Sequence, residues 1–336
     1  MQAGKKRAIQ QKGNKIAMEF VYAPMEGITG YIFRNVRSKF YPDVTAYYTP
    51  FISPDEHSFC GRREYQDILP EHNEGIHLIP QIMANKSEYF IRCARELEKM
   101  GYTEVNLNLG CPSGTVFSKH KGSGMLAYQE ELEQFLDDIY SALTIPVSIK
   151  TRIGVTDPDE FYELLEIYNK FPMKELIIHP RVRAEFYKKI PHLDMYAYAV
   201  KESKHPLCYN GNIFSVSGYQ QFMNRFPDTG KIMLGRGLLA NPGLIGEIKG
   251  EPAEDGVRMK AFLDELFIEY EKNCPGEKPL LFKLKEQWYY MASLFPDHQR
   301  LIKKIRKAQH KEEYKAAVDR LFAEAKPETT FGFYFA

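Results

Sequence analysis

The feature of this sequence that most limits its fold is an alternation. Short apolar runs rich in β-branched residues recur at 20–24, 44–50, 76–82, 104–109, 146–153, 175–180, 206–211 and 231–237. Longer amphipathic stretches lie between them, at 87–100, 129–143, 158–171 and 215–226. Ser87 is placed as an N-cap, and Asp157 followed by Pro158 marks another helix start. Strands that alternate with helices at this spacing form a parallel sheet. Eight such runs favour closure into a (β/α)8 barrel over an open doubly wound sheet. The segment 51–75 is the least regular and predicts a long loop.

After Pro252 the pattern changes. Residues 254–324 read as helix only, with Met259, Phe262, Leu263, Leu266 and Phe267 at helical spacing. Pro275-Gly276 and Phe295-Pro296-Asp297 punctuate them. The expected organisation is a basic N-terminal extension at 1–19, a barrel at 20–250 and a helical module at 251–336. With 336 residues there is room for a barrel of about 250 residues and a smaller module beside it. The aromatic-rich end, 329–336, is unassigned by pattern.

No stretch approaches the roughly 20 apolar residues needed to cross a bilayer. The N-terminus carries Lys5, Lys6, Arg7, Lys12 and Lys15 and has no apolar signal-peptide core, so a soluble cytoplasmic protein is expected, monomeric by default. Cys60, Cys93, Cys111, Cys208 and Cys274 are odd in number and scattered, which indicates neither a disulfide framework nor a metal site. The net charge of +1 is uninformative, but Arg300, Lys303, Lys304, Arg306, Lys307 and Lys311 cluster with no acid among them. Such a stripe is either a solvated helix face or an electrostatic footprint for nucleic acid.

Enzymes built on this barrel carry their chemistry at the C-terminal ends of the strands. There the sequence becomes polar. Period two puts Asn106 and Asn108 on one face of the fourth run, and Ser148, Lys150 and Arg152 on one face of the fifth. Inward amides need a ligand or a network, and two cations on one buried face need an anion nearby. The third run ends in Gln81, the sixth in His179, the seventh in Asn210-Gly211-Asn212 and the eighth in Gly235-Arg236-Gly237. Singly, each residue has an ordinary explanation as a structural ion pair or hydrogen bond; six strand ends of this kind point to a site. The glycines after the last two runs suit close backbone approach to a phosphate, so a phosphorylated cofactor over the barrel mouth is expected. Cys111 sits between Gly110 and Pro112 at that mouth, and the stretch 118–124 is expected to be a flexible lid. The other four cysteines are assigned to structure.

These residues resemble the dihydrouridine synthase family of FMN-dependent RNA-modifying enzymes. The matching stretches are APMEGIT at 23–29, Gln81, NLGCP with GSGML within 108–126, SIKTRIG at 148–154, His179 with Arg181, NGNI at 210–213 and GRGLLANP at 235–242. The resemblance implies that NADPH reduces bound FMN, which passes a hydride to C6 of a uracil ring while Cys111 protonates C5 as general acid. It implies Lys150 at the flavin N1/O2 edge, Gln81 at its pyrimidine edge, and Pro24 and Met25 against its ring. His179 would lie near flavin and phosphate. Asn210, Gly211, Gly235 and Arg236, with Asn212, would bind the phosphate. Asn108, Arg152 and Arg181 would face the substrate, and the helical module would grip RNA, with tRNA the first expectation.

The chain departs from the family pattern where Gly30 follows Thr29, where His179-Pro180-Arg181-Val182 replaces His-Gly-Arg-Thr, and where Asn212 and Asn106 stand at commonly acidic positions. These departures leave tRNA and ribosomal RNA both open. Two competing expectations are a flavin oxidoreductase of the dihydroorotate dehydrogenase type and a barrel that binds RNA without catalysis. The basic helical module counts against the first and Cys111 against the second.

Overall fold

The computed structural model describes residues 17–330. The N-terminal lysines and Arg7, and most of the aromatic end, lie outside the described residues. Among the described residues nine strands form one sheet: β1 (Glu19–Tyr22), β2 (Ala46–Tyr48), β3 (Leu78–Ile79), β4 (Gln81–Ile82), β5 (Val105–Leu109), β6 (Val147–Arg152), β7 (Leu176–His179), β8 (Leu207–Tyr209) and β9 (Lys231–Leu234). Their order is β3-β2-β1-β9-β8-β7-β6-β5-β4, and all pairings are parallel. The two ends of that order, β3 and β4, are joined in the chain by Pro80 alone, so the sheet closes on itself there. Proline has no N–H to give the ladder and splits the third expected run in two. Its carbonyl still accepts from the Asn106 amide at 2.9 Å, and Ile52 seals the junction through bonds of 2.7 and 2.8 Å to Gln81 and Met83. The fold is the expected α/β barrel.

Alternation along each strand sorts the side chains into two cores. Val21, Ala46, Ile79, Ile177, Cys208 and Met233 form the small interior cluster, while the opposite faces pack against the surrounding helices in the main core. At the N-terminal end of the interior, Lys231 pairs with the buried Glu175 at 2.9 Å, and the Tyr48 hydroxyl reaches the same carboxylate at 3.4 Å. Upward along the axis the interior therefore passes from an ion pair through an apolar layer to the amides and cations described below.

Helix boundaries differ in instructive ways. Ser87 is the first residue of the helix Ser87–Lys99, and its hydroxyl donates to Asp138 at 2.6 Å instead of capping the helix. The next expected start shifts onward to Glu160–Tyr168, because the Glu160 carboxylate accepts the amides of Val155, Thr156 and Asp157 and folds that stretch into a turn. Within 51–75 the chain forms the helix Arg62–Ile68, of which only Ile68 is buried.

The C-terminal helices are Val257–Asn273, Glu277–Met291, Gln299–Lys307 and Lys311–Glu324. Their core centres on the buried Trp288, whose indole N–H donates to the Tyr314 hydroxyl at 2.9 Å. Phe262 meets Phe33 edge to face at 6.0 Å, and Lys283 donates to the Gly27 carbonyl, so the helices are seated on the barrel. The helix Gln299–Lys307 buries Leu301, Ile302 and Ile305 and leaves Arg300, Lys303, Lys304, Arg306 and Lys307 exposed. Among the described residues, no helix is long and apolar enough to cross a membrane.

Candidate active site

Strand register brings the polar ends together. Gln81 lies beside Asn106, Asn106 beside Ser148, Asn108 beside Lys150, and Arg152 beside His179. The amides form a continuous relay. The Asn108 side-chain oxygen accepts the backbone N–H groups of Gly110 and Cys111, both at 3.0 Å. Its amide nitrogen must then donate to Gln81 Oε1, at 2.6 Å. Gln81 Nε2 donates to Asn106 Oδ1 at 2.8 Å, and Asn106 Nδ2 donates to the Ser148 hydroxyl at 3.0 Å. Every amide orientation thus follows from the two backbone donors of the Cys111 loop. The inward amides are satisfied by a network of their own.

Cys111 is half-buried, and burial pushes its thiol up, so it stays protonated at neutral pH. Its loop is packed against the segment Gly122–Ala127, a buried 3-10 helix. Ser123 donates to the Cys111 carbonyl through its amide at 3.2 Å and its hydroxyl at 2.6 Å. Gly122 has φ +55°, and a Cβ there would stand 3.0 Å from that of Cys111. The expectation of a flexible lid at 118–124 is therefore corrected for its C-terminal part. These glycines permit close approach instead.

Beside this loop opens a cleft lined by Ala23, Pro24 and Met25 after β1, Gly110, Lys150 and Arg152 at the centre, and His179, Asn210, Gly211, Gly235 and Arg236 at the remaining strand ends. A Cβ on Gly235 would lie 3.1 Å from that of Ala23 and 3.4 Å from Met25 Sδ, so only glycine lets the last strand end meet the first so closely. Lys150 is half-buried, and no hydrogen bond or ion pair to its ammonium is found among the described residues. Lost hydration, with Arg152 close by, pushes it down to about 8.

Arg152 does not meet the anion expected for it. It donates to the carbonyls of Gly110 at 2.9 Å, Val182 at 3.1 Å and Phe186 at 3.0 Å, tying the Cys111 loop to the segment after β7. Arg181, fully buried, donates to the Lys189 carbonyl at 2.7 Å and to Asn212 Oδ1 at 3.0 Å. It also approaches His179 Nε2 at 3.2 Å. A guanidinium can only donate, so His179 accepts there and donates through Nδ1 to the Asn210 carbonyl at 2.7 Å. Burial and the charges of Arg152, Lys150 and Arg181 hold this imidazole well below its usual range and neutral. Asn212 Oδ1 also accepts from Arg236 at 2.9 Å, so one neutral amide bridges two guanidiniums. Asn210 donates to the Met233 carbonyl at 2.8 Å.

The structure thus brings all the expected site residues to one end of the barrel, with Lys150, His179, Arg236 and the glycines on the cleft wall. Asn108, Arg181 and Asn212 are bonded to that wall from behind or beside it, and Gln81 is bonded to Asn108 one step further back. Two wall residues escaped sequence reasoning. Tyr187 carries Arg236 at 4.4 Å and Arg152 at 5.4 Å, and Phe214 lies 5.3 Å from Arg236. Aromatic residues set among the cations of 181–189 were the available signal. Among the described residues, no group of three or more His, Cys, Asp or Glu is placed to hold a metal ion.

Comparison with solved structures finds a barrel of the same kind in a 2-naphthoyl-CoA reductase complex, with a TM-score of 0.53, 11% identity, and coverage of 70% of this chain and 50% of that one. The likeness is one of fold. Sequence comparison is more specific. A probable tRNA-dihydrouridine synthase of Staphylococcus aureus (strain Mu50 / ATCC 700699) is 30% identical over 281 residues, 76% of this chain and 79% of that protein. Probable tRNA-dihydrouridine synthase 2 of Bacillus subtilis (strain 168) is 31% identical over 290 residues, 82% of this chain and 86% of that protein. The family model described as dihydrouridine synthase (Dus) matches residues 21–331, which takes in the barrel mouth, the relay and the C-terminal helices alike. The chain belongs to the dihydrouridine synthase family.

Proposed function

We propose that this protein reduces the C5–C6 bond of uridine in RNA, tRNA first, with FMN as resident cofactor and NADPH as reductant, in the cytoplasm. The observation that carries the reading is the donor set of the cleft. Lys150, Arg152 and Arg236 line it with the neutral His179, and Asn212 bridges Arg236 to Arg181 where a carboxylate would have cancelled charge. Such a set fits a ligand with a dianionic phosphate at one end and a ring that gains negative charge at the other. FMN is a ligand of this kind.

In this reading Arg236, Asn210, Gly211 and Gly235 hold the phosphate, with Arg181 and Asn212 fixing the angle of Arg236. Lys150 would hold the N1/O2 side of the ring and stabilise negative charge on it, and Pro24 and Met25 would pack against the ring. When bound, FMN supplies the two-electron link between NADPH and the pyrimidine. The protein's own chemistry is a proton. Cys111, kept neutral by burial, gives its proton to C5 of the uracil, and the relay from Ser148 through Asn106, Gln81 and Asn108 fixes the backbone that carries the thiol. Arg152 fixes the same loop from the other side through the Gly110 carbonyl. The exposed cations of Gln299–Lys307 suit the phosphate backbone of the RNA.

The test loads the purified protein with FMN, bleaches it anaerobically with NADPH, and adds RNA. Recovery of flavin absorbance is expected with unmodified tRNA and not with tRNA already reduced at its target uridines. Recovery with free orotate or uracil, and with no RNA, would replace this reading by a small-molecule reductase.

A further inference from the structure

Large aromatic side chains are normally buried, and several exposed together mark a binding surface. Phe186 is 42% exposed, Tyr187 38% and Tyr289 51%. The first two belong to the segment after β7, and Tyr289 belongs to the helix Glu277–Met291 of the C-terminal module. Tyr289 and its neighbour Tyr290, whose rings meet at 5.1 Å, stand within electrostatic reach of Arg236, the residue that carries Tyr187. The helix that carries Tyr289 packs against the short helix that begins at Arg236, on the wall where Tyr187 rests.

The backbone holds this arrangement at some cost. Phe186 has φ +51° and ψ −101°, a positive-φ conformation that bulky residues avoid. Bonds from Arg152 to the Phe186 carbonyl, at 3.0 Å, and from the Phe186 amide to the Arg183 carbonyl, at 3.1 Å, keep it there. The resulting turn leaves Phe186 and Tyr187 side by side at the rim.

Cations alternate with the rings. Arg183 lies 4.0 Å from the Phe117 ring and 6.0 Å from that of Phe186, and Lys188 and Lys189 are exposed on the same segment. Glu185, the acid of that stretch, pairs with His192 at 2.8 Å. A polyanion bearing planar bases satisfies both the charge and the rings, which is how unpaired nucleic acid strands are held. An apolar protein surface would satisfy the rings alone.

We infer that Phe186, Tyr187 and Tyr289 form a stacking platform for bases of an unpaired RNA strand on either side of the pyrimidine that enters the cleft. This inference rests on the proposed action on RNA. It divides the labour of binding: the basic helix grips phosphate, and the aromatic rim selects strands whose bases are free to stack.

The test uses FMN-loaded protein and a fluorescein-labelled, uridine-rich single strand of about 12 nucleotides, within the span of single-strand sites. A duplex of equal length is the comparison. Fluorescence anisotropy is recorded for wild type, Phe186→Leu and Tyr289→Leu, and for Phe186→Tyr and Tyr289→Phe, which keep a ring. Each leucine variant is expected to bind the single strand roughly 5- to 150-fold more weakly, with the aromatic variants close to wild type. The duplex affinity and the salt dependence should stay unchanged, because no charge is altered. Retained FMN binding certifies the fold, and if one leucine variant fails to fold, the other, on a different element of the chain, decides. Leucine variants that bind the single strand as wild type does would overturn the platform and leave the action on RNA intact. Equal losses in the leucine and ring-keeping variants, or equal losses for duplex, would overturn it too. A wild-type protein that binds neither the single strand nor unmodified tRNA would remove both the platform and the RNA reading.

Discussion

Replacing Asn108 by leucine tests whether the amide relay holds the Cys111 loop. The side chain is buried, and the substitution keeps its approximate size while deleting three hydrogen bonds. Two leave backbone N–H groups of the loop without their acceptor, and the third strands Gln81 Oε1 in the interior. At about 1 kcal/mol for each bond, the loss is about 3 kcal/mol. For a chain of this size that lowers Tm by roughly 5 °C. Asn108→Asp discriminates between lost bonding and lost bulk. A carboxylate still accepts both backbone groups, and the relay can reverse, with Ser148 donating to Asn106, Asn106 to Gln81 and Gln81 to residue 108. The new charge would lie beside its cross-strand neighbour Lys150. Asn108→Asp should therefore lose less than half the stability that Asn108→Leu loses. Thermal unfolding followed by circular dichroism, on protein free of flavin and loaded with FMN, gives both values. NADPH oxidation should persist in Asn108→Leu while uridine reduction falls at least about tenfold, as expected when a general acid is misplaced. An unchanged Tm in Asn108→Leu, or an aspartate variant as damaged as the leucine one, would refute the relay.

Three further outcomes follow from the same geometry. Cys111→Ala should oxidise NADPH normally and lose roughly 10²- to 10⁴-fold in base reduction; because burial raises the thiol, wild-type reduction should fall with thiol ionisation only at a pH above the ordinary thiol range. Full-rate base reduction by Cys111→Ala would remove the proton-donor role. Lys150→Met should bind FMN more weakly yet stabilise the flavin-free protein at pH 7 by up to ~3 kcal/mol. The sign follows from a lysine pushed from 10.5 to about 8: between those values the unfolded chain holds more protons, so stability rises with pH there and the full penalty applies below. Urea unfolding at pH 7 and pH 10 reads both effects, and a destabilised methionine variant would contradict the burial argument. Neutralising Lys303, Lys304 or Arg306 should weaken RNA binding at low salt and reduce the slope of log affinity against log salt by about 0.7–0.9 per cation; an unaltered slope would place the phosphate grip elsewhere.

Much of the fold is legible because its signals are local. The strand runs alternate with period two, and the helices after Pro252 repeat their apolar residues on one face. What escaped has physical reasons. Pro80 sits inside an otherwise continuous apolar run, and only closure of the ring reveals it as a break between β3 and β4. The helix Arg62–Ile68 buries a single residue, so it has no apolar periodicity to read. Gly122 and Gly124 look like flexibility in one dimension, but a Cβ on Gly124 would stand 2.8 Å from the Phe117 carbonyl, so they serve packing. At the site, strand-end residues were legible because register follows from the fold. The partners of Arg152 were not, since they are backbone carbonyls from 110, 182 and 186. Tyr187 and Phe214 reach the cleft from loops, whose course no local pattern dictates.

The most direct test of the central claim is chemical. Purified FMN-loaded protein is incubated with NADPH and unmodified cellular RNA, and dihydrouridine is then quantified by nucleoside mass spectrometry in separated tRNA and ribosomal fractions. Dihydrouridine in the tRNA fraction, abolished by Cys111→Ala, is the predicted result. Its absence from both fractions, from a yellow protein that still oxidises NADPH, would contradict reduction of uridine in RNA.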